Sequence, residues 1–213
     1  MPLGTLVRKL LGPKNFKYAG KIYRRFFVNL KMVYQSFPVM RPYQQLLDIG
    51  CGDGELINFI LGENPLVKIT MIDIAKSIGN AVDARFKRLV TLLPGTSIVD
   101  YREKHYKNAK IDFILISDVI HHIKPGERKE FFSDMLEIIR DDTKIIIKDV
   151  EPGHLKSYLA FLADKYISGD KYVTPVGKKE MIKYMKDIIP TIKFYETNLF
   201  RNNMPNYCLV FNR

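Results

Sequence analysis

The sequence predicts an α/β fold with a mostly parallel sheet and helices on both faces. From about residue 44 onward, short apolar runs alternate with longer amphipathic stretches. Several of those runs are unbroken, as strands buried on both faces require. A glycine-rich turn, Gly50-Cys51-Gly52-Asp53-Gly54, joins the first apolar run to the first amphipathic one. Right-handed crossovers would connect successive parallel strands.

The elements follow in order. Strands are expected at Gln45–Ile49, Val67–Ile72, Ser97–Val99, Ile111–Ser117, Thr143–Asp149, Ile192–Thr197 and Tyr207–Phe211. Helices are expected at Glu55–Leu61, Ser77–Leu93, Glu127–Arg140, Leu155–Ile167 and Pro175–Ile188. In the last, Thr174 suits the N-cap and Pro175 the first turn. The final two strands have no helix-length stretch between them, which predicts an antiparallel hairpin. Residues 1–41 read as a helical cap of one or two helices, broken near Gly12-Pro13 and ending before Pro38. The remainder, 42–213, reads as the main domain, with an acceptor-side insertion at about 150–174.

Composition narrows the function classes. The chain has 213 residues, 46% hydrophobic and 27% charged, ordinary values for a globular protein. No apolar run approaches the roughly 20 residues of a membrane-spanning helix, and the N-terminus lacks the pattern of a secretory signal. Two cysteines, Cys51 and Cys208, do not suggest a disulfide framework, so a cytoplasmic location is expected. The net charge of +11 is concentrated at one end. Residues 1–47 hold nine basic side chains and no acidic one, whereas the rest has 25 basic against 23 acidic. The same segment carries Phe16, Tyr18, Tyr23, Phe26, Phe27, Tyr34 and Phe37. It suits either a cap that packs its aromatic residues on the sheet or one that also holds an anionic or membrane-associated substrate.

The glycine turn permits close approach of a ligand to the backbone. A dinucleotide site of the G-x-G-x-x-G type would need glycine at 55, where Glu55 stands. Asp48, Asp53 and Glu55 also make the turn acidic, which disfavours a pyrophosphate and favours a sulfonium amino acid. Nineteen residues beyond Gly54, Asp73 ends the next strand, followed by Ile74. A carboxylate there can accept hydrogen bonds from ribose hydroxyls, or cap the following helix. Asp100 and Tyr101 are the candidates for adenine contact, although an Asp-Tyr pair can equally be turn chemistry.

The segments LLDIGCGDGEL, ITMIDIAKS and IDFILISDVIHHI resemble successive motifs of class I S-adenosylmethionine-dependent methyltransferases, over roughly residues 44–150. The resemblance implies a Rossmann-like, seven-stranded sheet of order 3-2-1-4-5-7-6. It also implies S-adenosyl-L-methionine bound at the carboxyl ends of the first four strands. Asp48, Gly50, Cys51, Gly52 and Ser117 would lie at its methionine end. Asp73 and Ile74 would lie at the ribose, and Asp100 and Tyr101 at the adenine.

Acceptor chemistry requires alignment and, for a hydroxyl, a base. His121 and His122 are candidates after the fourth strand and Asp149 after the fifth; His122 can equally be structural. The run Ser117–Ile123 also resembles the loop of ubiquinone-biosynthesis O-methyltransferases, which implies a divalent metal on Asp118, His121 and His122. The leading expectation is methylation of a small-molecule or lipid-like acceptor at oxygen, with peripheral contact to an anionic membrane. Two alternatives stand beside it: nucleic-acid methylation using the basic arm, and a non-catalytic cofactor-binding protein.

Overall fold

The computed structural model describes residues 29–106, 110–163, 173–197 and 205–212. A first helix, α1 (Leu30–Gln35), precedes β1 (Gln45–Ile49) and α2 (Ile57–Glu63). Next come β2 (Lys68–Asp73), β3 (Val90–Pro94), α3 (Ile98–Lys104) and β4 (Phe113–Ser117). They are followed by α4 (Arg128–Leu136), β5 (Lys144–Val150) and α5 (Leu155–Ala163). Last are α6 (Lys178–Ile188), β6 (Lys193–Thr197) and β7 (Asn206–Asn212). The seven strands form one sheet of order β3-β2-β1-β4-β5-β7-β6. Pairing is parallel from β3 through β5, and β7 runs antiparallel to both neighbours. The expected order and the terminal hairpin are therefore both observed.

The period-two alternation of strand side chains divides the core into two layers. On one face, Leu47, Ile114, Ile116, Ile145 and Ile147 pack against Ile98, Phe132, Met135, Met181 and Met185 from α3, α4 and α6. On the other, Leu46, Met71, Phe113, Leu115 and Ile146 pack against Val33 of α1 and Ile57, Ile60 and Leu61 of α2. Burial on both faces explains the unbroken apolar runs of β1, β4 and β5.

Three sequence expectations need correction. Ser77–Leu93 is not a helix. Residues 74–86 form turns, Lys87–Leu89 a short 3-10 turn, and Val90–Pro94 is the edge strand β3. Its half-buried edge pairs in parallel with β2, Ile69 opposite Val90, and tertiary pairing overrides the helical spacing. The expected strand Ser97–Val99 is instead the start of α3, with Ser97 as N-cap. The last helix begins at Lys178 rather than Pro175, with Gly177 as N-cap. Thr174–Val176 stays extended because its backbone is engaged elsewhere. Thr174 N–H donates to the His121 carbonyl at 2.8 Å. The Thr174 carbonyl accepts from Arg128, and that of Val176 accepts from the Tyr207 hydroxyl. The expected break at Gly12-Pro13 and the aromatic residues 16–27 lie outside the described residues, while α1 does end before Pro38.

Candidate functional site

The site is built where β1, β2 and β4 end. The turn after β1 holds Gly50, Gly52 and Gly54 at φ of 68°, 50° and 74°, a left-handed region that favours glycine. A Cβ on Gly50 would lie 2.5 Å from Val119 Cγ2, and one on Gly54 would lie 2.4 Å from Met71 Cε. The turn is bolted to β2: Gly50 N–H donates to the Ile72 carbonyl at 2.9 Å, and Gly52 N–H to Asp73 Oδ2 at 2.9 Å. The other Asp73 oxygen accepts from Ala75 N–H at 2.8 Å, as an N-terminal turn would require. Residues 77–83 wrap the outside of the turn. There, Gly79 and Ala81 N–H groups donate to the Gly52 and Asp53 carbonyls, each at 2.9 Å.

Two cavities open on either side of Gly50 and Asp118, which line both. The larger, about 490 Å³, lies between Asp73 and Ile74 on one side and Ser97, Ile98, Val119 and His122 on the other. The smaller, about 140 Å³, is bounded by Asp48, Cys51 and Ser117, with Leu30 of α1 as part of its wall. Asp48 is 4% exposed. Burial, and secondarily the charge of Asp73, pushes its carboxyl up to about 7. Burial, followed by the charges of Asp48 and Asp73, also pushes the Cys51 thiol up, so it is not a reactive thiolate.

Asp100 and Tyr101 depart from the sequence reading. Asp100 lies in the first turn of α3, in a capping box. Its Oδ2 accepts from the Ser97 hydroxyl at 2.6 Å, and its Oδ1 accepts from Lys104 at 2.6 Å. Those bonds to Lys104 and Ser97 hold its carboxyl down at about 2. Tyr101 is buried in the core and stacked on His105. Neither lines either of these two cavities; Thr96, Ser97 and Ile98 stand at the larger one instead. The signal was present, since Ser97-x-x-Asp100 is a capping-box pattern.

Beyond β4 two side-chain pairs cross to β5, one of them fully buried. Asp118 has φ of 58°, unusual for a residue with a side chain. Its N–H donates to the Lys148 carbonyl at 2.9 Å, and both its carboxylate oxygens accept from the Lys148 ammonium at 2.5 Å. Lys148 is 1% exposed, and sequence reasoning assigned it no role of its own because it reads as one polar residue in an apolar strand. Next to it, His121 Nδ1 donates to Asp149 Oδ1 at 2.5 Å, and Asp149 also accepts from Val150 N–H at 2.7 Å. Burial raises the Asp149 carboxyl, but the charge and hydrogen bond of His121, the Val150 N–H and Lys148 outweigh it and hold it below the usual range. The His121 ring lies 4.1 Å from that of His122, centroid to centroid, and 5.9 Å from that of Phe161 on α5. His122 faces the larger cavity while His121 is buried. Arg128, also buried, donates to the Ile123 carbonyl at 3.0 Å and the Thr174 carbonyl at 2.7 Å, pinning this loop.

The expected metal set is not assembled. Asp118 is turned to Lys148 and His121 to Asp149, and among the described residues no group of three His, Cys, Asp or Glu side chains is placed to hold an ion. No helix among them is long and apolar enough to cross a membrane.

Residues 47–145 match the family described as "Methyltransferase domain". That match spans a little under half of the chain, and the sheet order agrees with the class I methyltransferase fold. Two curated relatives, the carboxy-S-adenosyl-L-methionine synthase 1 of two Yersinia pseudotuberculosis strains, are each 32% identical over 146 residues. That alignment covers 61% of this chain, which spans 57% of the length of those relatives. Among solved structures, a SAM-dependent methyltransferase from Archaeoglobus fulgidus aligns over 92% of this chain and 100% of its own, with a TM-score of 0.65 at 15% identity. An O-methyltransferase family protein from Burkholderia thailandensis aligns over 96% and 61%, with a TM-score of 0.71 at 12% identity. The plantazolicin methyltransferase BpumL, solved in complex with SAH, aligns over 98% and 94%, with a TM-score of 0.62 at 17% identity. These structural likenesses establish the fold.

Proposed function

We propose that the chain binds S-adenosyl-L-methionine and transfers its methyl group to a small-molecule hydroxyl. The observation that carries this reading is the pair of carboxylates, Asp48 and Asp73, at adjacent strand ends beside a glycine turn flanked by two cavities that share Gly50 and Asp118. The cofactor's methionine end fits the smaller cavity, where Asp48 faces its ammonium and Gly50, Cys51 and Ser117 bound its chain. Its nucleoside fits the larger one, with the Asp73 carboxylate toward the ribose and the exposed Ile74 and the buried Ile98 against the base. The sulfonium then falls near Gly50 and Asp118, the two residues that line both cavities.

In the transfer step the acceptor oxygen attacks the methyl carbon in line, the carbon–sulfur bond breaks toward sulfur, and S-adenosylhomocysteine leaves. His122 is the group placed to take the hydroxyl proton. Asp149 fixes the tautomer and orientation of His121, and His121 supports the His122 ring. Of the expected cap and acceptor-side wall, the described residues 29–41 and 150–163 serve those parts, a reading supported by Leu30 in the cavity and Phe161 against His121. The basic cap would favour an acceptor attached to a lipid or near an anionic surface.

A second reading rests on the relatives: the chain builds a carboxylated form of the cofactor instead of methylating an acceptor. One experiment separates the two. Full-length protein is titrated with S-adenosylmethionine by calorimetry, then incubated with cofactor and cell extract, and the products are analysed by mass spectrometry. Release of S-adenosylhomocysteine supports methyl transfer, and accumulation of carboxylated cofactor supports the second reading. The absence of any cofactor binding refutes both. Gly50→Arg, which fills the turn against Val119, serves as the blank.

A further inference from the structure

The Lys148–Asp118 pair has a buried lysine and a partly exposed carboxylate, and Asp118 lines both cavities. Lys148 projects from β5 and is 1% exposed, so its ammonium cannot turn toward a ligand without leaving Asp118. The Asp118 side chain is 41% exposed and lines both cavities. Its backbone is held in a left-handed conformation, its N–H bonded to the Lys148 carbonyl. One residue of β5 thus fixes both the main chain and the carboxylate of Asp118. A carboxylate held by one ammonium retains further lone pairs for a donor. Charge at the site points the same way: Asp48, Asp53, Glu55, Asp73 and Asp118 line the cavities, and among the described residues no lysine or arginine does. An anionic group arriving there would meet five carboxylates and, among the described residues, no lysine or arginine, whereas a neutral O–H would meet a preset acceptor. The wall beyond is apolar, formed by Val119, Ile123 and Phe131.

Resting on the methyltransferase reading, we infer that Asp118 is a specificity-determining residue. It accepts a hydrogen bond from an uncharged hydroxyl on the methyl acceptor, and Lys148 is the positioning residue that aims it, in the place where the loop resemblance implied a metal ion. A hydrogen bond to a charged acceptor makes a difference of about tenfold or more in affinity.

The test uses full-length protein saturated with S-adenosylhomocysteine and three ring-matched probes: phenol, which donates; anisole, which does not; and benzoate, which is anionic. Binding is followed by ligand-observed NMR. Phenol is expected to bind about tenfold or more tightly than either of the others. In Asp118→Asn, a substitution that tolerates the left-handed backbone, that preference is expected to fall to about twofold or less. Lys148→Met is expected to weaken phenol selectively, leaving anisole unchanged, which a merely structural role would not do. Failure of phenol to bind by about 10 mM, preferential binding of benzoate, or an undiminished preference in Asp118→Asn would each overturn the proposal. Failure of S-adenosylhomocysteine itself to bind, measured first by calorimetry, would instead refute the underlying reading.

Discussion

Asp48 links the stability of this fold to the charge of its ligand. Its carboxyl titrates near 7 in the folded chain against an ordinary 3.8, chiefly because it is buried. A difference of about three pH units corresponds to about 4 kcal/mol. The sign follows from the direction of the shift. Below about pH 4 both folded and unfolded states hold the proton, and Asp48 contributes no penalty. Between about 4 and 7 the unfolded state loses the proton first, so stability falls by about 1.4 kcal/mol per pH unit and then levels. Replacing Asp48 with asparagine removes that slope. Urea melts of ligand-free native and Asp48→Asn protein should therefore diverge steadily from pH 4 to 7 in favour of the variant, with no further divergence above. A cationic cofactor reverses the balance, because an ammonium beside the carboxylate favours its ionised form. Native affinity for S-adenosylmethionine should rise up to about tenfold per pH unit below 7 and then flatten, with proton release visible by calorimetry in buffers of different ionisation enthalpy. The variant should bind weakly, without that pH dependence. Parallel pH–stability curves for the two proteins, or binding without proton release, would refute the reasoning.

Further outcomes follow from the same geometry. Gly50→Ala meets Val119 at 2.5 Å in a left-handed backbone, whereas Gly52→Ala meets only open space, so urea melts should show the first losing more than the ~1–2 kcal/mol that conformation alone costs. Asp100→Ala breaks the capping box and should lower the melting temperature while leaving cofactor affinity unchanged, as measured by calorimetry. Asp149→Asn should cut S-adenosylhomocysteine release by roughly 10²–10⁴-fold, because His121 loses the group that orients it. The Asp149 carboxyl is held low in the folded state, so its stabilising contribution is present above about pH 4 and is lost as pH falls through the lower folded value. Treatment with EDTA should leave turnover intact, since Lys148 and Asp149 already occupy Asp118 and His121.

What could be read from the sequence depended on how local its causes were. β1, β4 and β5 announce themselves as apolar runs, and the glycine turn carries its own charge and spacing. The sheet order came from the resemblance of those motifs, not from periodicity. β3 was hidden because Val90–Pro94 is an edge strand whose pairing with β2, not its own pattern, makes it extended. The start of α6 was misplaced because Pro175 and Thr174 suit a helix start locally, while Arg128, Tyr207 and the His121 carbonyl hold that stretch extended from a distance. Around the candidate site, Asp48, Asp73 and His122 were found by their positions at strand ends. Asp118, His121 and Asp149 were singled out too, but their pairing across the sheet was not, and Lys148 was given no role. A buried lysine in an apolar strand gives no sign of which residue across the sheet it serves.

The strand β7 is the last described element to be synthesised, yet it lies inside the sheet, between β5 and β6. Until residues 206–212 leave the ribosome, β5 must wait with one edge bare, and β6 has no neighbour on which to form. A nascent chain that already contains the whole cofactor turn therefore still exposes a row of unpaired amides beside Lys148 and Asp149. Chaperone contact during synthesis should concentrate on that edge, and a ribosome stalled before β7 should yield a protease-sensitive intermediate.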